Sequence, residues 1–412
     1  MSRRSSSSLR KILIISTLWL LANFTGVSGQ NLEYVIGYAL PDGALGVTYD
    51  SNLAYIANDV SGMEILDVSD PFNPFPAGNL GIPSFTRNVF VRGNYAYVAA
   101  GDSGLQVVDV SDPLFATIVG NYEATGTALT VYVSGDYAYL ANGYSGMLVI
   151  NIADPTNPTL AGTYISSGYL MGVSVVGNYA FVTANFVEPD YGQMQVVDIS
   201  DPANPTYAGS GDTQGGAYGI YISGGYAYVA AFTYGLYIFD ITDPPAVGYA
   251  GVYNTPGSAK RLFVAGNYAF VADGTSGLEM IDVTDPYAPF LTDSINTPGN
   301  ATDVVVDRGF VYIADDFSLE IYQITESNCE YSAGDINASG SSNGIDVTYG
   351  VSFFKGGSPP PYSCSCPPYG TIFPAGDVNG NCQFNGIDIS YFVTYLKGGP
   401  DLQSCPSCPS AR

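Results

Sequence analysis

The chain contains no histidine, and its single tryptophan, Trp19, lies ahead of Gln30 in an N-terminal leader-like segment. Without imidazole there are no histidine zinc sites, no Ser-His-Asp triads and no histidine general bases. Cationic side chains are scarce, 12 Lys+Arg against 37 Asp+Glu, for a formal net charge of −25. So acidic a surface repels phosphate backbones and anionic lipid, which makes nucleic acid a poor partner. Cysteine is missing from the whole chain before Cys329. Long apolar runs are also missing after Gly29, so no later segment is expected to cross a membrane as a helix.

The one apolar run, Ile12 to Leu21, follows Arg3, Arg4, Arg10 and Lys11 and precedes the small residues Val27, Ser28 and Gly29. That order predicts a secretory signal peptide over residues 1–29, and hence a secreted or cell-surface protein. Cleavage would leave eight basic residues against 37 acidic ones. All six cysteines, Cys329, Cys364, Cys366, Cys382, Cys405 and Cys408, fall in the C-terminal stretch that Cys329 opens. An even count in an exported segment predicts up to three disulfides, with every pairing open. A cysteine metal site is the alternative.

Between these ends runs a repeat. A short strand signal, Leu53-Ala54-Tyr55-Ile56, returns at Tyr95, Tyr137, Tyr179, Tyr226, Tyr268 and Phe310, so the period is constant except for one longer step between Tyr179 and Tyr226. Each unit carries four β-branched or aromatic segments punctuated by Gly, Asn, Asp and Pro, and no helix is needed before Ile345. This is the pattern of a propeller. The seventh unit lacks a fourth strand, but Tyr34-Val35-Ile36-Gly37 matches the fourth strands Thr117-Ile118-Val119-Gly120 and Thr159-Leu160-Ala161-Gly162. The expected fold for residues 30–326 is therefore an all-β seven-bladed propeller whose N-terminal strand closes the last blade and removes the open edges. The segments 63–71 (MEILDVSDP), 105–113 (LQVVDVSDP), 194–202 (MQVVDISDP) and 278–286 (LEMIDVTDP) resemble the LVIVD-repeat propellers. That resemblance implies an exported propeller without one settled activity.

The acids of those motifs, Asp67, Asp109, Asp198, Asp240 and Asp282, and those of the Asp-Pro turns recur in unit after unit. A catalytic pair is needed once, so recurrence points to strand ends and turn initiation. Function is expected where units differ. The fourth unit carries an insertion in its second-to-third loop, 185–192 (NFVEPDYG), which accounts for the longer step. Phe186, Glu188, Asp190 and Tyr191 there, with Tyr144 before it and Phe232 and Tyr234 after it, are expected to form an aromatic and acidic cluster over three adjacent blades. Such rings suit an unknown protein or carbohydrate; ordinary packing of a tyrosine-rich chain is the alternative.

At the start of the inner strands the equivalent residues are Leu45, Arg87, Leu129, Met171, Tyr218, Lys260 and Thr302, followed by Gly46, Asn88, Thr130, Gly172, Gly219, Arg261 and Asp303. Arg87, Lys260 and Arg261 thus gather scarce positive charge at ring-equivalent positions. They could bind a carboxylate or sulfate in the mouth, or serve as counter-charge to an acidic protein.

Residues 327–412 read differently. Asp377, Asn379, Asn381, Gln383, Asn385 and Asp388 place oxygen donors along one loop, and Asp335, Asn337, Ser339, Ser341, Asn343 and Asp346 repeat the same register earlier in the chain. Calcium takes six to eight such oxygens, so two Ca²⁺ sites are expected. An apolar, helix-compatible stretch follows each loop and stops at a Gly-Gly pair, at 356–357 and 398–399. One helix per loop, with aspartate at position 12, resembles a duplicated type I dockerin, a small α, EF-hand-like domain. Cys382 and Ser339 depart from the usual position-6 glycine and position-5 ligand. The resemblance implies docking to a cohesin-like surface protein through Gly344-Ile345 and Gly386-Ile387, within a polysaccharide-degrading assembly.

The residues together favour a non-catalytic binding or scaffold protein. The rival is a propeller glycoside hydrolase using two carboxylates, with Asp59, Asp102, Glu188, Asp273 and Asp303 as the acids nearest the loop face.

Overall fold

The computed structural model describes residues 30–186 and 191–326, together with a short pairing of Cys364–Ser365 against Thr371–Ile372. The expected signal peptide, the loop residues Glu188 and Asp190, the calcium ligands and the cysteine side chains lie outside the described residues.

The β-branched and aromatic segments form seven antiparallel sheets around an axis. Blade 1 consists of Gly46–Asp50, Leu53–Ala57, Met63–Asp67 and Phe75–Leu80. Blade 2 consists of Asn88–Arg92, Tyr95–Ala99, Leu105–Asp109 and Thr117–Tyr122. Blades 3 to 6 repeat this order with inner strands Thr130–Ser134, Tyr169–Val176, Ile220–Ser223 and Arg261–Ala265. In blade 7, Ala301–Asp307 pairs with the first part of Phe310–Glu326, and Gln30–Ala44 pairs with the second part. The chain folds back at Asp316, φ +46°, and Ile324 N–H donates to the Gly309 carbonyl at 2.7 Å, as Val68 does to Asn52 in blade 1. The only helical turn among the described residues is a 3₁₀ turn, Pro113–Phe115.

The second strand of each blade is buried on both faces, because alanines alternate with large residues: Ala54, Ala96, Ala138, Ala180, Ala227 and Ala269 are fully buried. Small side chains let the next sheet approach while tyrosine, phenylalanine and valine fill the space between. Seven apolar clusters result, each shared by two adjacent blades. The cluster of Leu40, Ile56, Tyr312 and Ile321 joins blade 7 to blade 1, so the ring is closed. The N-terminal strand does close the last blade, and it is longer than the Tyr34–Gly37 match: it pairs from Gln30↔Glu326 to Ala44↔Asp316, with a bulge after Tyr34.

The Asp-Pro turns have a second purpose that motif spacing did not reveal. In five blades a glycine of the outer strand lies under the proline carbonyl of the following blade. A Cβ at Gly78 would sit 1.9 Å from Pro113 O, at Gly120 2.2 Å from Pro155 O, and at Gly251 2.4 Å from Pro286 O. Blade 6 has Asp293 where the glycine would be, and its neighbour is the N-terminal strand, which has no such turn. The Asp293 carboxylate accepts the Leu32 N–H at 2.7 Å. Blade 7 departs as well, with Ile36 opposite Ile321 where blade 1 sets Gly78 opposite Ile65, so both departures involve the N-terminal strand that closes the ring.

Candidate docking face and central channel

Second-to-third hairpins and the links into the next blade meet on one face. Bridges Asp59↔Thr86, Gly101↔Ala128, Gly143↔Leu170, Phe232↔Ala259 and Gly274↔Ala301 tie each hairpin to the start of the following inner strand. The hairpin residue is left-handed in all five, and it is glycine in three of them. Phe232 adopts φ +49° there, a conformation costing a side chain about 1–2 kcal/mol.

The expected aromatic cluster resolves into pairs. Tyr144 meets Tyr169 edge-on at 4.8 Å, Phe186 stacks on Tyr191 at 4.6 Å and 6°, and Phe232 stacks on Tyr218 at 5.0 Å and 18°. The ring of Tyr234 covers Gly215. Tyr144 and Tyr234 are 65% and 40% exposed, so part of this aromatic surface faces solvent. The two ends of the blade 4 insertion lengthen the hairpin: Asn185 pairs with Gly192 and Phe186 with Tyr191, which is why the two rings stack.

The proposed glycosidase acids are engaged in structure wherever the contacts are strong. Asp273 is buried and accepts from the Thr255 hydroxyl at 2.5 Å and the Gly257 amide at 2.6 Å; Asp315 repeats the clamp on Thr297 and Gly299. Asp303 accepts from the amides of Val47 and Val304 and pairs with Arg261 at 3.0 Å. Burial lifts its pKa, opposed by Arg261 and these amides. Asp102 has only a long contact to the Thr127 hydroxyl, 3.5 Å. The recurrent motif acids cap turns: Asp67, Asp109, Asp198, Asp240 and Asp282 each accept the amide two residues on, with the Asp67 contact at 2.8 Å and the Asp240 contact at 3.0 Å.

The inner strands line an axial channel in layers. Leu45, Arg87, Leu129, Met171, Tyr218, Lys260 and Thr302, one from each blade, surround a mouth cavity of about 200 Å³ that Arg261 floors. Arg261 reaches across the axis: one guanidinium nitrogen bonds Asp303, the other the Leu129 carbonyl and the Thr130 hydroxyl, both at 3.2 Å. Gly46 makes room, since a Cβ there would stand 3.3 Å from that guanidinium. Arg261 thus separates the mouth from a deeper cavity of about 330 Å³. Lys260 is half-buried and donates to Asn300 Oδ1 at 3.0 Å. Burial lowers its pKa, with Asp316 opposing. A larger crevice of about 420 Å³ opens between blades 2 and 3, lined mainly by turn residues. There Arg92 is already bonded to the Gly135 carbonyl.

Sequence reasoning missed the lower layer of the channel. Phe90 and Tyr132 meet at 5.0 Å and Tyr221 and Phe263 at 4.7 Å, all lining the deeper cavity. The signal was available as the residue two places beyond Asn88, Thr130, Gly219 and Arg261, which points to the same side of the strand.

Closed seven-fold geometry, an axial channel and a decorated loop face define a seven-bladed β-propeller. The LVIVD repeat model matches residues 44–80, 85–124, 125–166, 167–213, 214–255, 256–297 and 298–328, and the chain belongs to that repeat family. Comparison with curated proteins finds no match. Among solved structures, a chain of the mitotic checkpoint complex superposes with a TM-score of 0.58 at 10% identity, covering 77% of this chain and 99% of its own. The β-propeller domain of Myceliophteria thermophila Cps50 (Swd1) gives 0.55 at 11% identity, with 71% and 100% covered. The computationally designed Ika8 protein gives 0.52 at 9%, also with 71% and 100% covered. At these identities the likeness shows the fold alone. Among the described residues no helix is long and apolar enough to cross a membrane.

Proposed function

We propose that this chain is an exported, non-catalytic interaction scaffold whose hairpin face docks a partner, and whose tail binds two Ca²⁺ and attaches to a cohesin-like receptor. The observation that carries the docking reading is Phe232. The chain holds a bulky ring in the left-handed conformation, where glycine serves in three other blades, and stacks it on Tyr218 at the rim of the mouth. Strained residues of this kind collect at binding sites, where placement of the side chain offsets the local cost. Exposed Tyr234 on the same hairpin and Tyr144 on the hairpin of blade 3 extend the same face, and tyrosine is enriched at interface centres.

The tail half of the reading rests on two oxygen-rich loops at one register, Asp335 to Asp346 and Asp377 to Asp388. Two carboxylates per loop suit an extracellular-range calcium affinity. Calcium titration of the full chain tests it. Two ions are expected per chain, one after Asp377→Ala, and chelation is expected to speed proteolysis within residues 327–412. Proteolysis indifferent to chelation contradicts the loop assignment.

A further inference from the structure

Within residues 30–326 there are five basic side chains, Arg87, Arg92, Lys260, Arg261 and Arg308, and three of them reach one small cavity. If these three merely balanced the acidic chain, each would sit beside a carboxylate. Only Arg261 does, on Asp303. The other ion pair among the described residues is Arg308 with Asp307, on the surface. Lys260 bonds a neutral amide, and Asp316 acts on it from beyond ion-pair range. Arg87 lies over the Phe85 ring at 5.3 Å, and its Nε is buried without a partner among the described residues.

The corner from which Arg87 enters is polar and unsatisfied to an extent not seen in the equivalent corners. Asn58 Oδ1 and Nδ2, Asp59 Oδ1 and Thr86 Oγ1 are buried without partners, while Asp273 and Asp315, at the position of Asn58, are fully clamped. The cause is local: Leu40, in the link from blade 7 into blade 1, stands where the links into blades 6 and 7 offer Thr255 and Thr297 to the clamp. Desolvated cations and unpartnered polar atoms are costly unless something completes them.

Around the rim, Arg87 of blade 2 and Lys260 of blade 6 flank Leu45 and Thr302, whereas Leu129, Met171 and Tyr218 form the opposite arc. One half is cationic and the other apolar. We infer that the mouth binds a carboxylate carried on an apolar or aromatic body, with Arg87 and Lys260 holding the anion and Leu129, Met171 and Tyr218 the body. A guanidinium matches the two oxygens of a carboxylate, and the apolar arc gives the body a place that an inorganic anion cannot use. The inference goes beyond the docking reading, since it assigns a ligand class to the mouth and not to the hairpins.

Titration calorimetry on the full chain tests it with phenylacetate, its uncharged amide and inorganic sulfate. A short peptide ending in a phenylalanine carboxylate, with its C-terminal amide as control, distinguishes a partner's terminus from a free acid. At least one carboxylate is expected to bind and its amide not to, with sulfate clearly weaker. Arg87→Gln and Lys260→Gln are each expected to weaken binding about tenfold or more without lowering the melting temperature, and Arg87→Lys to recover part of the affinity. Tyr144→Ser leaves this binding intact, so failure of the docking reading is separate. No binding by either carboxylate, equal binding of the amide or sulfate, or undiminished affinity in both glutamine variants would overturn the inference.

Discussion

Two residues show how much of the stability of this ring is local. Gly120 is not in a left-handed conformation; it is glycine because Pro155 O occupies the space of a Cβ, 2.2 Å away. Gly120→Ala must push two blades apart, and a loss of about 1–3 kcal/mol is expected from denaturant unfolding. Glu279 is the second case. Its carboxyl is buried, Oε2 has no partner among the described residues, and burial first, then Asp273 and Asp293, push its pKa up to about 7. The folded chain therefore keeps a proton that the unfolded chain releases near 4.5, and stability falls as pH rises between those values. Glu279→Gln is expected to remove about 2 kcal/mol of that fall, read as the change in unfolding free energy across that pH interval. An unaltered pH profile would contradict the assignment.

At the scale of elements, the period and its Asp-Pro punctuation made the strands legible: Tyr95–Ala99 and Thr117–Tyr122 stand where the repeat put them. The missing fourth strand of the last unit also showed where the chain closes. What repetition could not show is which residues of different blades touch. The glycine under the proline, the Asp293–Leu32 seam and the reach of Arg261 to blade 3 all depend on contacts between units. The ends of the blade 4 insertion read as loop because periodicity reports length and not pairing; the Asn185↔Gly192 and Phe186↔Tyr191 pairs make those ends strand. Removing residues 30–44 leaves Phe310–Glu326 with an open edge. That variant is expected to unfold less cooperatively and to self-associate, which denaturant titration and sedimentation velocity would detect.

For the whole molecule, the face and the axis differ in kind. The axis is crossed by Arg261 and lined below it by Phe90, Tyr132, Tyr221 and Phe263, and under the proposed function ligands meet the propeller at its mouth and rim. The rim holds the strained ring of Phe232, which under the proposed function serves recognition and not the fold. Phe232→Gly tests this most directly. The full chain and the variant would be immobilised, and the retention of proteins from exported and cell-surface fractions compared alongside the unfolding free energy of each. Stability is expected to hold or rise, as the left-handed strain is released, while retention of the bound partner is expected to fall about tenfold. A variant that is clearly less stable, or that retains the same partner equally well, would contradict that role for the ring.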